Sequence, residues 1–243
     1  MMYKLPQINI LTVSLCTLLF ASQAQANLFS EFNYYAGGGV GFEQIRLKTG
    51  YGEGFFPDST SEFELLLGGV HANTFGFEVG VSATPEKHRD TYIGSGQAYP
   101  GNPYALPAGA WEIWRPYYSS QAAFAGVTKV FYLNQSRSCS VFLFAGGAVT
   151  KVETHIDFVN DDLPGDPSVE HITAARRDFN ATRLVPVLKV GIEYRRDIWA
   201  CRASYAWKNY AAFKMKSKQN PNGLSELRLN NVGGLYLDFL IYI

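Results

Sequence analysis

Hydrophobic and polar positions alternate along most of this chain with the period of two that a β-strand imposes, since successive side chains leave a strand on opposite faces. The stretch Leu227 to Ile243 shows it most clearly: Leu235, Leu237, Phe239, Ile241 and Ile243 fall on one face, and Gly234, Tyr236, Asp238, Leu240 and Tyr242 on the other. A wholly apolar face on an edge strand in water invites pairing and aggregation. The pattern therefore implies hydrocarbon on one side and a narrow polar interior on the other. The same alternation marks seven more strands upstream: Tyr34 to Lys48, Ser61 to Ala72, Phe75 to Thr84, Ser119 to Leu133, Cys139 to Ile156, Phe179 to Tyr194 and Trp199 to Tyr210. On strand two Phe63, Leu65 and Leu67 are expected outward, and on strand three Phe77, Val79 and Val81. Strand five is ambiguous, because Val141, Leu143 and Ala145 or Phe142, Phe144 and Gly146 could form its apolar face.

The connections carry a second pattern. Short turns at Asn73-Thr74, Asn134 to Ser138 and Arg195 to Ile198 alternate with long loops at Thr49 to Thr60, Pro85 to Tyr118, Asp157 to Asp178 and Ala211 to Glu226. Transmembrane barrels connect their strands in this way, with short turns on one side and long loops on the other. The fold class expected is all-β, an eight-stranded antiparallel up-and-down transmembrane β-barrel. Pro186 inside strand six removes a ladder donor and suggests a bulge or a ragged outer half there.

The start of the chain adds a compartment. One early positive charge at Lys4, an apolar run from Ile8 to Ala21 and the small residues of Ala24-Gln25-Ala26 have the form of a secretory signal peptide over residues 1–26. The barrel domain is then 27–243, and no later segment approaches the roughly 20 apolar residues of a spanning helix. An exported chain with lipid-compatible strands points to the outer membrane of a Gram-negative bacterium after Sec-type export. Only 17% of residues are charged, while Gly, Tyr and Phe number 23, 15 and 17, which suits closely packed strands with aromatic girdles. The 21 basic residues balance the 21 acidic ones, so no nucleic-acid partner is implied. Cys139 and Cys201 open strands five and seven with another strand between them, which places two strand spacings, about 9 to 10 Å, between the backbones.

Alternation directs Glu43, Glu78, Lys129, Lys189, Glu193, Arg202 and Asp238 inward. An eight-stranded barrel is just wide enough for side chains to fill, so these charges are expected to interlock as a polar plug rather than line a channel.

The segments YYAGGGVGFE, VGIEYR and VGGLYLDF, in that order, resemble the eight-stranded outer-membrane barrels that include the OmpA transmembrane domain, the OmpX and Ail group and the neisserial opacity proteins. The resemblance covers essentially the whole mature chain, although the chain ends in Ile243 where the family usually ends in Phe. It implies pairing across the lumen from strands three, four, six and seven, the strands of Glu78, Lys129, Glu193 and Arg202. It also implies insertion by the barrel-assembly machinery, with Leu235, Leu237, Phe239, Ile241 and Ile243 as the terminal strand that is read.

Other chemistry is poorly served. Lipid A deacylases and palmitoyltransferases on small barrels look for a His and a Ser near the rim, and none of His71, His88, His155 and His171 precedes a Ser by two residues. Asn160, Asp161, Asp162 and Asp166 lack the regular ligand spacing of a calcium loop. No catalytic residue, metal ligand or cofactor site is therefore expected. The loops remain. The second carries Tyr92, Tyr99, Tyr104, Trp111, Trp114, Tyr117 and Tyr118, and the third is acidic. The fourth carries Lys214, Lys216 and Lys218 on one face of an extended segment, where they could meet lipopolysaccharide phosphates. The expectation is a monomeric structural or adhesin-like surface protein with a host or matrix ligand at its loops; a lipid A-modifying enzyme and a narrow pore are the alternatives.

Overall fold

The computed structural model describes residues 31–49, 52–53, 56–71, 74–93, 111–161, 172–210, 213–216, 226–230 and 232–243. The signal peptide expected over 1–26 lies outside them, as do His171, Asp162, Asp166, Lys218, Tyr99 and Tyr104. Eight long strands form the wall: β1 (Phe32–Gln44), β2 (Ser59–His71), β3 (Phe75–His88), β4 (Trp111–Tyr132), β5 (Cys139–Asp161), β6 (Ile172–Arg196), β7 (Trp199–Lys208) and β8 (Val232–Tyr242). Each pairs with its neighbours in sequence, β1 pairs with β8 and β3 pairs with β4, so the sheet closes into an antiparallel up-and-down barrel. Closure leaves no edge through the level where the outer surface is apolar.

The alternation has the phase that β8 implied. Leu235, Leu237, Phe239, Ile241 and Ile243 are all exposed, while Tyr236, Asp238, Leu240 and Tyr242 are buried. Phe63, Leu65, Val127, Leu184, Leu188 and Ile192 continue the exposed apolar belt around the wall. Strand five resolves with Leu143 outward and Phe142 and Phe144 buried in the lumen. These rings need space that the facing strands give up. A Cβ on Gly126 would stand 2.6 Å from the Phe144 ring, and one on Gly41 2.4 Å from the Tyr236 ring. Glycine in the wall is thus the complement of aromatic filling inside.

Three tight connections lie at one end, and each contains a residue in the left-handed region: Thr74, Arg137 and Asp197. Cys139 on β5 and Cys201 on β7 both stand across from Tyr194, with the whole of β6 between them, and both are free thiols.

Three strands differ from the expectation in length, and one in its ladder. β4, β5 and β6 run to 22, 23 and 25 residues, well past the belt at the long-loop end, so Trp111 to Tyr118 and Ile172 to Asp178 are strand rather than loop. Pro186 introduces no bulge: Gly147 pairs with Pro186 in an unbroken ladder, and the irregularity in that hairpin lies at Phe158/Val159. The β6–β7 ladder stops at Val187–Lys208, and the Pro186 carbonyl accepts only the Asn209 amide beyond it. Pro186 has no N–H with which to return that bond, so the β6–β7 ladder frays from this pair outward.

Above the belt a second, four-stranded sheet forms in the order Phe213–Lys216, Glu226–Leu229, Leu47–Thr49, Gly52–Glu53. Its inner residues Leu47, Met215, Leu227 and Leu229 join Tyr118, Val152, Ile156 and Phe179 in one buried apolar cluster. A separate cluster, with Tyr35, Leu66, Phe124, Phe142, Phe144 and Leu240 among its members, fills the wall nearer the tight turns.

Candidate functional site

The polar interior lies at belt level and is organised by three cations. Strand parity sets them: on β7, Arg202, Ser204, Ala206 and Lys208 share the inward face, and on β6 Val185, Val187, Lys189 and Glu193 do. Because Arg202 pairs with Glu193 and Ala206 with Lys189 in the β6–β7 ladder, the cations stack in the order Arg202, Lys189, Lys208 from the tight-turn end.

Arg202 donates from Nη1 to Glu78 Oε2 at 2.6 Å and from Nε and Nη2 to Glu193 Oε2 at 3.1 and 2.9 Å. Tyr35 donates to Glu78 at 2.9 Å and Tyr242 to Glu193 at 2.7 Å. The guanidinium also lies 4.2 Å from the centre of the Phe142 ring. Lys189 grips both oxygens of Glu64 at 3.0 and 2.8 Å, with Asp238 beside them. Lys208 reaches Glu62 at 2.9 and 2.6 Å and Glu43 at 2.6 Å, and Tyr236 hydroxyl contacts both carboxyls. Ions out of water are tolerated only when paired and hydrogen-bonded, and each cation here meets that condition.

Six of the seven residues expected inward are in this network: Glu43, Glu78, Lys189, Glu193, Arg202 and Asp238. Lys129 is not, and that expectation is corrected. Phe124, Thr128 and Val130 fix the inward parity of β4, so Lys129 faces outward between Val127 and Phe131. Its Nζ donates to Thr74 Oγ1 at 2.6 Å and sits 3.8 Å from the centre of the Phe75 ring. A charge on the outer face is tolerable there because the residue lies level with a tight turn, where a long side chain can lead its ammonium to water. A Lys129–Glu193 pair accordingly does not form; Glu193 is held by Arg202 and Tyr242. Two members were missed, Glu62 and Lys208; a third, Glu64, faces inward by the alternation of strand two but was not counted among the seven charges. The signal for each was the parity already in hand: Glu62 is one inward step from Glu64, and Lys208 is three from Arg202.

The long-loop end has its own polar surface. Arg115 binds Asp90 through two hydrogen bonds of 2.7 and 2.9 Å, fastening the short strand Thr91–Ile93 to β4. His88, Tyr117 and His155 stand side by side across three strands, with ring centres 5.1 and 4.2 Å apart. Partial burial and the nearby Arg176 guanidinium hold the His155 imidazole below the ordinary histidine pKa. No group of residues suited to hold a metal ion occurs among the described residues.

Fold and lumen together define a small closed barrel with an apolar outer belt and a charge-filled core. Among solved structures it is similar to Ail, the attachment invasion locus protein of Yersinia pestis, at 13% identity and a TM-score of 0.44, with 87% of this chain and 99% of that chain covered. The same protein in complex with the heparin analogue sucrose octasulfate gives 13% identity and a TM-score of 0.41 over the same shares. The TodX monoaromatic hydrocarbon channel is similar at 9% identity and a TM-score of 0.21, with 87% and 90% covered. No protein-family model and no curated protein matches the chain.

Proposed function

We propose that the chain is an outer-membrane barrel of a Gram-negative bacterium, inserted as a monomer by the barrel-assembly machinery, that acts at the cell surface by binding and not by catalysis. The observation that carries this reading is where the chain spends its polar groups. The three lumen cations are held in ion pairs and apolar clusters fill the wall on both sides of them, which leaves the long-loop end as the working surface. That end carries a cationic row. In the second sheet Lys214 pairs with Arg228 and Arg228 with Lys48, three basic positions directly across from one another. Met215, Leu227 and Leu229 are buried between them, so Lys214 and Arg228 face solvent. Solvent-facing cations on neighbouring strands present charge-assisted donors to a polyanion laid across them. The ligand class proposed is a sulfated or phosphorylated glycan of a host surface or matrix. The solved complex of Ail with a heparin analogue is in keeping with that class without arguing for it.

The experiment is binding of cells displaying the protein to immobilised heparin. Lys214→Glu with Arg228→Glu should weaken binding and flatten its dependence on salt at unchanged surface level. Unchanged binding would sink the cationic row as the site.

A further inference from the structure

The tight-turn end carries a group of cations that the lumen does not use. The β4–β5 turn, Asn134 to Ser138, and the β6–β7 turn, Arg195 to Ile198, are joined directly, because the Arg195 amide donates to the Ser138 carbonyl at 2.7 Å. Arg137, Arg195 and Arg196 thus lie on one continuous surface. Among the described residues Arg89, Arg115, Arg176 and Arg202 each meet a carboxylate, whereas no ion pair holds any of these three. Two of them rest on rings instead: the guanidinium of Arg137 lies 5.2 Å from the centre of the Tyr132 ring, and that of Arg195 3.6 Å from the centre of the Tyr242 ring. Arg195 gives Nε to the Asp197 carbonyl at 3.3 Å. A guanidinium held by its flat face keeps the remaining N–H groups along its edge for an acceptor. The β4–β5 turn adds a hydroxyl. The Cys139 amide donates to Asn134 Oδ1, which directs Asn134 Nδ2 onto Ser138 Oγ at 2.8 Å, and Ser138 Oγ lies 2.9 Å from Ser136 Oγ. Donation from Ser138 to Ser136 then leaves the Ser136 hydrogen for a ligand.

The same turns are apolar on their outer side. Leu133 and Ile198 are 65% and 67% exposed, and beside them the rings of Tyr194, Trp199 and Phe239 meet one another on the outer face. Aromatic rings at the end of an apolar belt mark the level of lipid headgroups. We propose that the joined turns bind the headgroup phosphate of an anionic phospholipid, with Arg137, Arg195, Arg196 and Ser136 as donors and the acyl chains against the Tyr194–Trp199–Phe239 rings. The site rests on the outer-membrane reading, in which this leaflet faces the periplasm. Charge sets the class of lipid. The two turns hold three arginines and one carboxylate, that of Asp197, so a headgroup with net negative charge is favoured, while a zwitterionic one brings a second cation into a surplus of positive charge. The exposed leucine and isoleucine decide against a soluble polyanion, because such a ligand would leave them in water.

The test is lipid retention by the full chain, refolded into vesicles of equal parts phosphatidylglycerol and phosphatidylcholine, extracted in mild detergent, and its bound lipid counted by mass spectrometry. Wild type should carry phosphatidylglycerol over phosphatidylcholine several-fold. Arg137→Gln with Arg196→Gln, which leaves Arg195 on Tyr242, should bring the two lipids close to parity in protein shown to be folded by its heat-modifiable migration. Arg89→Gln with Lys151→Gln, at the long-loop end, should leave the preference as it is. Equal retention of both lipids by folded wild type would overturn the proposal, and that result depends on no variant. A preference that falls equally in both double variants would overturn its assignment to the turns. Urea unfolding adds the soluble alternative: inorganic phosphate that stabilises the protein in phosphatidylcholine vesicles as much as phosphatidylglycerol does would replace the lipid by a free anion. A chain that inserts into no vesicle would overturn the outer-membrane reading itself, whereas one that inserts and shows no preference overturns the site alone.

Discussion

Arg202 is 2% exposed and bound to two carboxylates on different strands, so its removal strands both. Arg202→Ala should cost about 3–5 kcal/mol, the usual penalty for leaving buried charge unpartnered. Adding Glu78→Gln should recover only part of that, and adding Glu193→Gln as well should recover more; urea unfolding in vesicles measures the series, and strictly additive losses would contradict the shared guanidinium. Lys129 provides the contrast. As an outward lysine level with a turn, it should accept Lys129→Leu within about 1 kcal/mol, whereas Lys189→Leu should cost several times more in the same assay. His155 is the residue whose titration can be followed outside the belt. Its folded form disfavours the proton, so the stability it contributes is complete above the ordinary histidine value of about 6.5 and declines as pH falls below it toward the lower folded value. Imidazole NMR should place its midpoint below 6.5, and His155→Phe, which keeps the ring stack, should flatten the decline.

At the scale of elements, β8 is the closing strand. It pairs with β1 from Tyr35–Tyr242 to Gln44–Gly233 and with β7 from Trp199–Ile241 to Lys208–Val232. Deleting Leu240 to Ile243 removes the seam at the tight-turn end, the Tyr242 bond to Glu193 and the Ile243 amide bond to Tyr34. Heat-modifiable, folded protein should then be lost from membranes, and normal levels of it would contradict the closure role. The strands were legible in sequence because lipid-compatible and lumen faces leave an uncompromising period of two. What escaped was phase and length wherever that contrast weakens. β5 is apolar on both faces, and its phase follows from Phe142 and Phe144 meeting Gly191 and Gly126 on neighbouring strands. Beyond the belt β4 and β6 face protein core within and water without; Pro116, Tyr117 and Tyr118 make β4 read as loop, and the charged run Arg176-Arg177-Asp178 does the same for β6. Lys129 is directed inward by an alternation whose phase on β4 is one residue off, since Phe124, Thr128 and Val130 are the buried set, and an outward lysine is tolerated near a turn.

For the whole molecule, the stacked levels and the apolar clusters leave the barrel filled from end to end of the described wall. Planar bilayers containing the wild type should show no steady single-channel steps, and a regular open level would contradict the filled lumen. Which charges exist inside could be read from parity; which of them meet could not, because partners such as Lys189 and Glu64 lie 125 residues apart and are brought together only by closure. The apolar core above the belt has a further consequence. Since Tyr118, Val152, Ile156, Phe179 and Met215 hold that half together from within, the tips can be exchanged without disturbing what supports them. Grafting a foreign peptide between residues 161 and 172 would turn the chain into a rigid display scaffold, its cargo carried clear of the bilayer by the β5–β6 hairpin.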